Sequence, residues 1–298
     1  MQIRAAIILL CILALFTSPN YVCAKDRVKN DTSLINFIGT SQLNKYLNKK
    51  KWNELFPHRN LNRHSKIDGQ NEMYSYNSFL KAAKKFPQFL GNKNDTINKR
   101  ELSAFLANIA QETSGGWDNA PDSYFTWGLY FTEEQNCNEG CQQYSDTTNK
   151  KYPPFNGCSY HGRGPKQLSW NYNYGQFSEA YFGDKDSLLK HPELLIHDAV
   201  LAFSSAIWFW MQSQKPKPSC HDIITGNWIP SHIDSSYNRL PGFGATVNVI
   251  NGGIECNINE AKQTTYRYNY YLFFCKYFNV VPGPNLKCSN QKPFNIQK

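Results

Sequence analysis

The sequence predicts a mainly α-helical domain behind a cleavable leader. Several segments carry apolar residues at helical spacing, bounded by helix starts and stops. Period-two alternation, the mark of a half-buried strand, is scarce. The stretches between the helices are long and rich in Gly, Tyr and Trp, with no internal repeat and no linker composition.

Residues 1–24 carry one positive charge at Arg4, an apolar run from Ala5 to Phe16, and the small-residue close Val22-Cys23-Ala24. That is the three-part pattern of a secretory signal peptide. The run is too short to span a bilayer, which takes about 20 apolar residues. A retained signal anchor is the alternative reading of the same segment. No later segment is long and apolar enough to cross a membrane, so no membrane partner is expected after cleavage. Residues 25 to about 40 are polar.

A first helix is expected over Met73–Phe86, with Phe79, Ala82, Ala83 and Phe86 on one stripe and Pro87 ending it. A second runs from Asn98 to Thr113. Its stripe is Leu102, Phe105, Leu106 and Ile109, with Thr96 or Asn98 as cap and Gly115-Gly116 as stop. A third opens at Pro192 and continues to Met211, apolar nearly all round, which argues for a central buried helix. A fourth covers Ala261 to Phe278.

Composition is that of a globular protein, 41% hydrophobic and 18% charged. The net charge is +9, Arg4 included, and the lysines are spread along the chain apart from Lys49-Lys50-Lys51. No nucleic-acid-binding motif accompanies that charge. It reads as solubility and attraction to anionic surfaces such as cell walls. Of nine cysteines, Cys11 and Cys23 fall in the leader. The remaining odd number (Cys137, Cys141, Cys158, Cys220, Cys256, Cys275 and Cys288) should form disulfides in an oxidising compartment and leave at least one thiol over. Cys137 and Cys141 imitate half a zinc site, but no second Cys or His pair completes it, so no metal is expected. Asn30-Asp31-Thr32 and Asn94-Asp95-Thr96 are glycosylation sequons.

Glu112 is the informative residue. It continues the apolar stripe three positions beyond Ile109, so its carboxyl is partly desolvated. Desolvation raises a carboxyl pKa, and a carboxyl kept protonated near neutral pH is what a general acid requires. A buried Glu paired with an Arg would look the same in the sequence. Glu133 and Glu134 follow an aromatic segment, Tyr124-Phe125-Thr126-Trp127-Gly128-Leu129-Tyr130-Phe131. Aromatic rings stack on sugar faces but more often fill cores. A second carboxylate in a cleft would give the pair used in glycoside hydrolysis, and periodicity leaves open which of the two it is. Three further stretches set amides and hydroxyls beside aromatic rings: His161 to Gly175, Trp208-Phe209-Trp210-Met211 with Lys215-Pro216-Lys217-Pro218-Ser219, and Asn248 to Cys256.

Taken together, Ala110-Gln111-Glu112-Thr113-Ser114-Gly115-Gly116-Trp117, the Gly162–Gly175 stretch, Trp208 to Met211 with its Lys-Pro-Ser-Cys continuation, and Asn248 to Cys256 resemble the family 19 glycoside hydrolases, the plant-type chitinases. The likeness runs from about Phe56 to Cys288. It implies a catalytic domain over 56–298, with 25–55 as a poorly defined N-terminal segment. It also implies a lysozyme-like, mainly α-helical fold with a long cleft, and hydrolysis of β-1,4 links in chitin with inversion at the anomeric carbon. By the same likeness Glu112 is the acid, and the base follows it by 22 positions, which selects Glu134 over Glu133. Ser169 matches the serine that holds the attacking water. Gln167 and Asn173 match the floor, Gln214 and Lys217 loop residues that touch the sugar chain, and Asn251, Glu255 and Arg267 a polar group near the acid; Tyr172 is counted with the substrate-binding residues. Arg267 is expected to partner Glu255 more than Glu112, leaving desolvation free to raise the acid's pKa. Cys256 and Cys288 match the family's C-terminal disulfide, and Cys158 with Cys137 or Cys141 would replace another.

Two departures stand out. Gln111 occupies the position of a family His, and Tyr130 that of a family cysteine. No cofactor, nucleic-acid or membrane partner is implied, and the protein is expected as a secreted monomer. A peptidoglycan hydrolase of the same fold and a non-catalytic chitin-binding protein are the rivals. Oligosaccharide release from chitin against bacterial wall separates all three.

Overall fold

The computed structural model describes residues 41–59, 66–67, 71–137, 141–258 and 262–294. The leader, Asn30, residues 25–40 and Ala261 therefore lie outside the described residues. The described chain is mainly α-helical, as expected, with one two-residue antiparallel pair, β1 (Lys66–Ile67) against β2 (Asn71–Glu72).

Three helices build the frame of the site. α4 (Asp95–Glu112) is buried at every residue from Glu101 to Ala110, well beyond one stripe. Its polar members are satisfied locally: Ser103 Oγ donates to Lys99 O at 2.8 Å and Asn108 Nδ2 to Ala104 O at 2.8 Å. The cap is neither Thr96 nor Asn98 but exposed Asn94, whose side chain accepts from Thr96 N at 2.9 Å. α8 (Ala199–Met211) is buried nearly all round, as its composition demands. The single helix expected from Pro192 is broken at Asp198, which turns extended and caps Val200 and Leu201 with its carboxylate. The preceding turn is the separate short helix α7 (Leu194–His197). α12 (Lys262–Tyr277) packs along α4.

Two hydrophobic cores result. The larger gathers Trp52, Phe79, Phe105, Phe203, Trp210 and Phe274, and the smaller gathers Tyr160, Leu168, Tyr174, Phe177, Leu188 and Trp208. α8 serves both, giving Phe203 and Ile207 to one and Leu201 and Trp208 to the other. Truncating a fully buried aromatic such as Phe203 to Ala costs about 3–5 kcal/mol.

The packed domain begins before residue 56. α1 (Leu43–Tyr46) and α2 (Lys49–Leu55) bury Leu43, Tyr46, Trp52 and Leu55 in the larger core, and Trp52 Nε1 donates to Tyr74 O at 2.9 Å. The run Lys49-Lys50-Lys51 hid this helix: its first turn is charged, and Asn48 supplies the cap. The expected helix over Met73–Phe86 is shorter, α3 (Tyr76–Ala83), with Ser75 as its cap.

Cys256 and Cys288 are bonded as expected. The second expectation fails: Cys137 and Cys141 are joined to each other, which takes both from Cys158. A four-residue separation lets one loop bring their Cα atoms to 5.2 Å, within the range a disulfide spans. Cys220 and Cys275 are buried thiols.

Candidate active site

Glu112 is the last residue of α4, with its side chain 17% exposed. Directly after it, residues 113–115 are zipped to the segment that leads to the second carboxylate. Tyr130 N and Phe131 N both donate to Thr113 O, at 3.1 and 3.0 Å, Leu129 N to Thr113 Oγ1 at 2.8 Å, and Gly115 N to Trp127 O at 3.0 Å. Gly115 permits this approach, since a Cβ there would lie 2.5 Å from Tyr130 Cδ1.

The segment then crosses to the loop around residue 164. Gly164 N donates to Thr132 O and Glu134 N to Gly162 O, both at 2.8 Å. That loop turns tightly between Arg163 and Leu168, where Gly164 and Gln167 have φ of 75° and 51°. A positive φ is unusual at a residue with a side chain and gathers at functional sites. Lys166, inside the turn, reaches back to Glu112. Glu112 and Glu134 thus belong to one continuous hydrogen-bonded frame.

Glu133 and Glu134 have different partners. Glu133 Oε2 meets His161 Nε2 at 3.1 Å and Arg163 Nε at 3.8 Å. Glu134 accepts from Tyr144 OH at 2.7 Å and from Gly162 N at 3.2 Å. Burial and the donation to Glu134 push the Tyr144 hydroxyl up to about 12, so it stays a donor at any working pH.

Below them, α5 (Asn171–Phe182) begins at Trp170, whose φ is 77°. No helix is expected here from the sequence, because the Asn, Tyr and Gly content hides the period. Ser169 Oγ donates to Gln167 O at 2.9 Å, Asn173 Nδ2 to Ser169 O at 2.8 Å, and Gln214 Nε2 to Asn173 Oδ1 at 3.2 Å. Gln167 and Tyr172 are half-buried beside them. Lys217 Nζ donates to Val249 O at 3.0 Å, and burial lowers its pKa.

The polar group expected near the acid is assembled as well. α11 (Phe243–Glu255) kinks at Asn251, whose Nδ2 donates to Glu255 Oε1 at 3.0 Å. Arg267 Nη2 lies 2.6 Å from Glu255 Oε1 and 2.9 Å from Glu112 Oε1. Arg267 is therefore shared between the two carboxylates. The expectation of a raised Glu112 pKa is overturned: burial does push it up, but Lys166 at 3.2 Å and Arg267 outweigh burial and hold it below the usual carboxylate value. Burial opposes the charge on Arg267, yet Glu112 and Glu255 hold its pKa above the ordinary value.

Lys166 and Tyr144 escaped the sequence reading. Neither sits at a spacing that marks it, and only the tertiary turn brings Lys166 onto Glu112. Beside Glu112, a cavity of about 170 Å³ is walled by Gln111, Ser114, Gly116, Tyr124, Lys262, Gln263 and Tyr266.

An α-helical domain with two carboxyl groups linked through one hydrogen-bonded frame fits the two-carboxylate chemistry of a glycoside hydrolase. The sequence profile of the chitinase class I family, family 19 of those enzymes, matches residues 46–288. The chain belongs to that family. It is 44% identical over 257 residues to endochitinase A2 of Pisum sativum, spanning 86% of this chain and 75% of that one. With an endochitinase of Carica papaya it shares 42% identity over 253 residues, 85% of this chain and 99% of that one. Among solved structures, chitinase C from Streptomyces griseus HUT6037 superposes with a TM-score of 0.63 at 31% identity, covering 82% of this chain and 97% of that one. A family GH19, class IV chitinase from Zea mays gives 0.60 at 32% identity, with 83% and 99% covered. Among the described residues no group of His, Cys, Asp or Glu is placed to hold a metal ion, and no helix is long and apolar enough to cross a membrane.

Proposed function

We propose that the chain is a secreted, monomeric, endo-acting chitinase that hydrolyses β-1,4 links between N-acetylglucosamine units with inversion. Glu112 gives its proton to the departing glycosidic oxygen, and Glu134 takes one from the water that attacks the anomeric carbon. Ser169 holds that water. Gln167, Tyr172, Asn173, Gln214, Lys217 and Asn251 line the path of the sugar chain, while Glu255 and Arg267 support the acid. One observation carries the reading: Glu112 and Glu134 are fixed to one hydrogen-bonded frame, each held by its own partners. Glu112 is flanked by Lys166 and Arg267, whereas Glu134 accepts only neutral donors, Tyr144 OH and Gly162 N, among its hydrogen bonds here.

Glu112→Gln removes the proton donor together with the negative charge that faces Lys166 and Arg267. Hydrolysis of a soluble N-acetylglucosamine oligomer should fall by about 10²–10⁴-fold with fold and oligomer binding kept. A variant retaining more than half the wild-type rate refutes the assignment of the acid. Proton NMR early in hydrolysis should show the α-anomer first, and a β-anomer appearing first refutes inversion.

A further inference from the structure

The acid proposed above rests in the wrong charge state for its role. Its Oε1 touches two cations, Arg267 Nη2 at 2.9 Å and Lys166 Nζ at 3.2 Å. Arg267 is shared with other partners. Its Nε and Nη2 both hold Glu255, at 3.2 and 2.6 Å, and its Nη1 donates to Asn108 Oδ1 at 3.1 Å. Lys166 is not committed. Among the described residues its ammonium donates to Glu112 alone and otherwise rests over the Phe209 ring, 5.0 Å from the centroid.

Counting charges shows what this arrangement does. Lys166 and Arg267 balance Glu112 and Glu255, and all four sit within one small polar group. Protonating Glu112 with nothing else changed would strand the Lys166 ammonium, which is only 7% exposed, without a counter-charge. The other groups that face this corner do not relieve it. Lys217, from the segment before α9 (Cys220–Thr225), adds positive charge and is tied to Val249 O. The Cys220 thiol of α9 is pushed up to about 12 by burial and stays neutral. His221 of α9 turns away to Glu101, 2.6 Å from its Oε1. Glu255 of α11 is already taken by Arg267 of α12, and Glu134 belongs to Tyr144 and Gly162.

We propose that Lys166 is an exchangeable counter-ion of Glu112: it neutralises the carboxylate while the cleft is empty and passes to an oxygen of the bound sugar chain, so that Glu112 takes up its catalytic proton only with substrate in place. An N-acetylglucosamine polymer offers hydroxyl oxygens and the acetamido carbonyl oxygen to an ammonium, and it displaces water from the corner. The proton comes from solvent and leaves with the glycosidic oxygen as the C1–O bond breaks. The Glu112 carboxylate left behind pairs with Lys166 again when product departs. Lys166 is thus a positioning residue for the acid, and the inference rests on Glu112 being that acid.

The test uses the full chain carrying Glu134→Gln, which binds oligomer without turning it over, and follows the Glu112 side-chain carboxyl by carbon-13 NMR against pH. In the free protein that carboxyl should titrate below the ordinary carboxylate range. Saturation with the N-acetylglucosamine tetramer should raise its protonated fraction at least tenfold at fixed pH. Adding Lys166→Met should produce a similar rise in the free protein and abolish the response to tetramer, while Lys166→Arg, which keeps the charge and controls for folding, should leave the low midpoint in place. A midpoint insensitive to tetramer, or one unmoved by Lys166→Met in a folded protein, overturns the inference. Because nothing here depends on turnover, failure of the acid assignment is seen separately, as activity surviving in Glu112→Gln.

Discussion

Glu255→Gln probes the balance of charge around the acid most directly. The substitution keeps an amide oxygen that still accepts from Arg267 and deletes one negative charge that is 1% exposed. Both carboxylates reach the same Nη2, at 2.6 and 2.9 Å, so their facing oxygens are no more than about 5.5 Å apart. Two like charges at that distance repel by about 3 kcal/mol at an effective dielectric of about 20, equivalent to roughly two pH units. This repulsion favours the protonated form of Glu112. Deleting it leaves Arg267 and Lys166 acting on Glu112 alone, so the acid binds its proton less tightly. On the alkaline flank of the kcat/KM profile, activity on a soluble N-acetylglucosamine oligomer should drop by about 10–100-fold. The loss should persist even where the position of the limb belongs to the Glu112–Glu134 pair as a whole, because the fraction of molecules with acid protonated and base ionised falls. Thermal melts at matched pH confirm that the comparison is between folded proteins. Unchanged or increased alkaline-side activity in a folded variant would refute the buffering role of Glu255.

Three other outcomes follow from the same geometry. Tyr144→Phe removes a hydrogen bond to the Glu134 carboxylate, a type worth about 1.5–3 kcal/mol, so kcat should fall tenfold or more with KM little changed; a loss confined to KM counts against a role in orienting the base. Glu134→Gln should cost at least about 10²-fold, whereas Glu133→Gln, which disturbs the contacts to His161 and Arg163, should cost less than tenfold; equal losses leave no reason to prefer Glu134. The third concerns stability: burial disfavours charge on His221, but its contact with buried Glu101 wins and raises its pKa. Stability from that pair is full below the unfolded-state value of about 6.5 and is lost as pH rises through the higher folded value. The melting temperature of the wild type should therefore fall more steeply than that of His221→Gln as pH rises from about 6.5 into the alkaline range, and parallel curves would remove the pair from the account.

Helices whose burial follows composition were legible in the sequence. α8 is apolar on all sides because it serves two cores, and a helix of that kind announces itself without any partner being known. α4 was legible along one stripe, but burial of its other faces depends on α8, α9 and α12, which no local pattern records. α2 and α5 were missed for opposite reasons. Lysines mask the buried Trp52 and Leu55 of the first, and amides and tyrosines blur the period of the second. The pairing of Cys158 was misjudged because loop closure between Cys137 and Cys141 is local, and family likeness says nothing of how a short loop folds.

The site divides along the same line. Resemblance supplied the residues, and the structure brings Asn251, Glu255, Arg267 and Glu112 into one polar group and joins Ser169, Asn173 and Gln214 in another. Charge state was the part that could not be read. Position on an apolar stripe argued for desolvation, and desolvation does act on Glu112. Its sign is reversed by two cations, Lys166 in the turn between Arg163 and Leu168 and Arg267 on α12, neither of them near Glu112 in sequence. A carboxylate so held is stable as an anion, and an acid must be a proton donor. The two requirements are compatible only if the cations' hold depends on what occupies the cleft. Arg267 cannot supply that dependence, being locked to Glu255 and Asn108. Lys166, with one carboxylate and one ring face to leave, can.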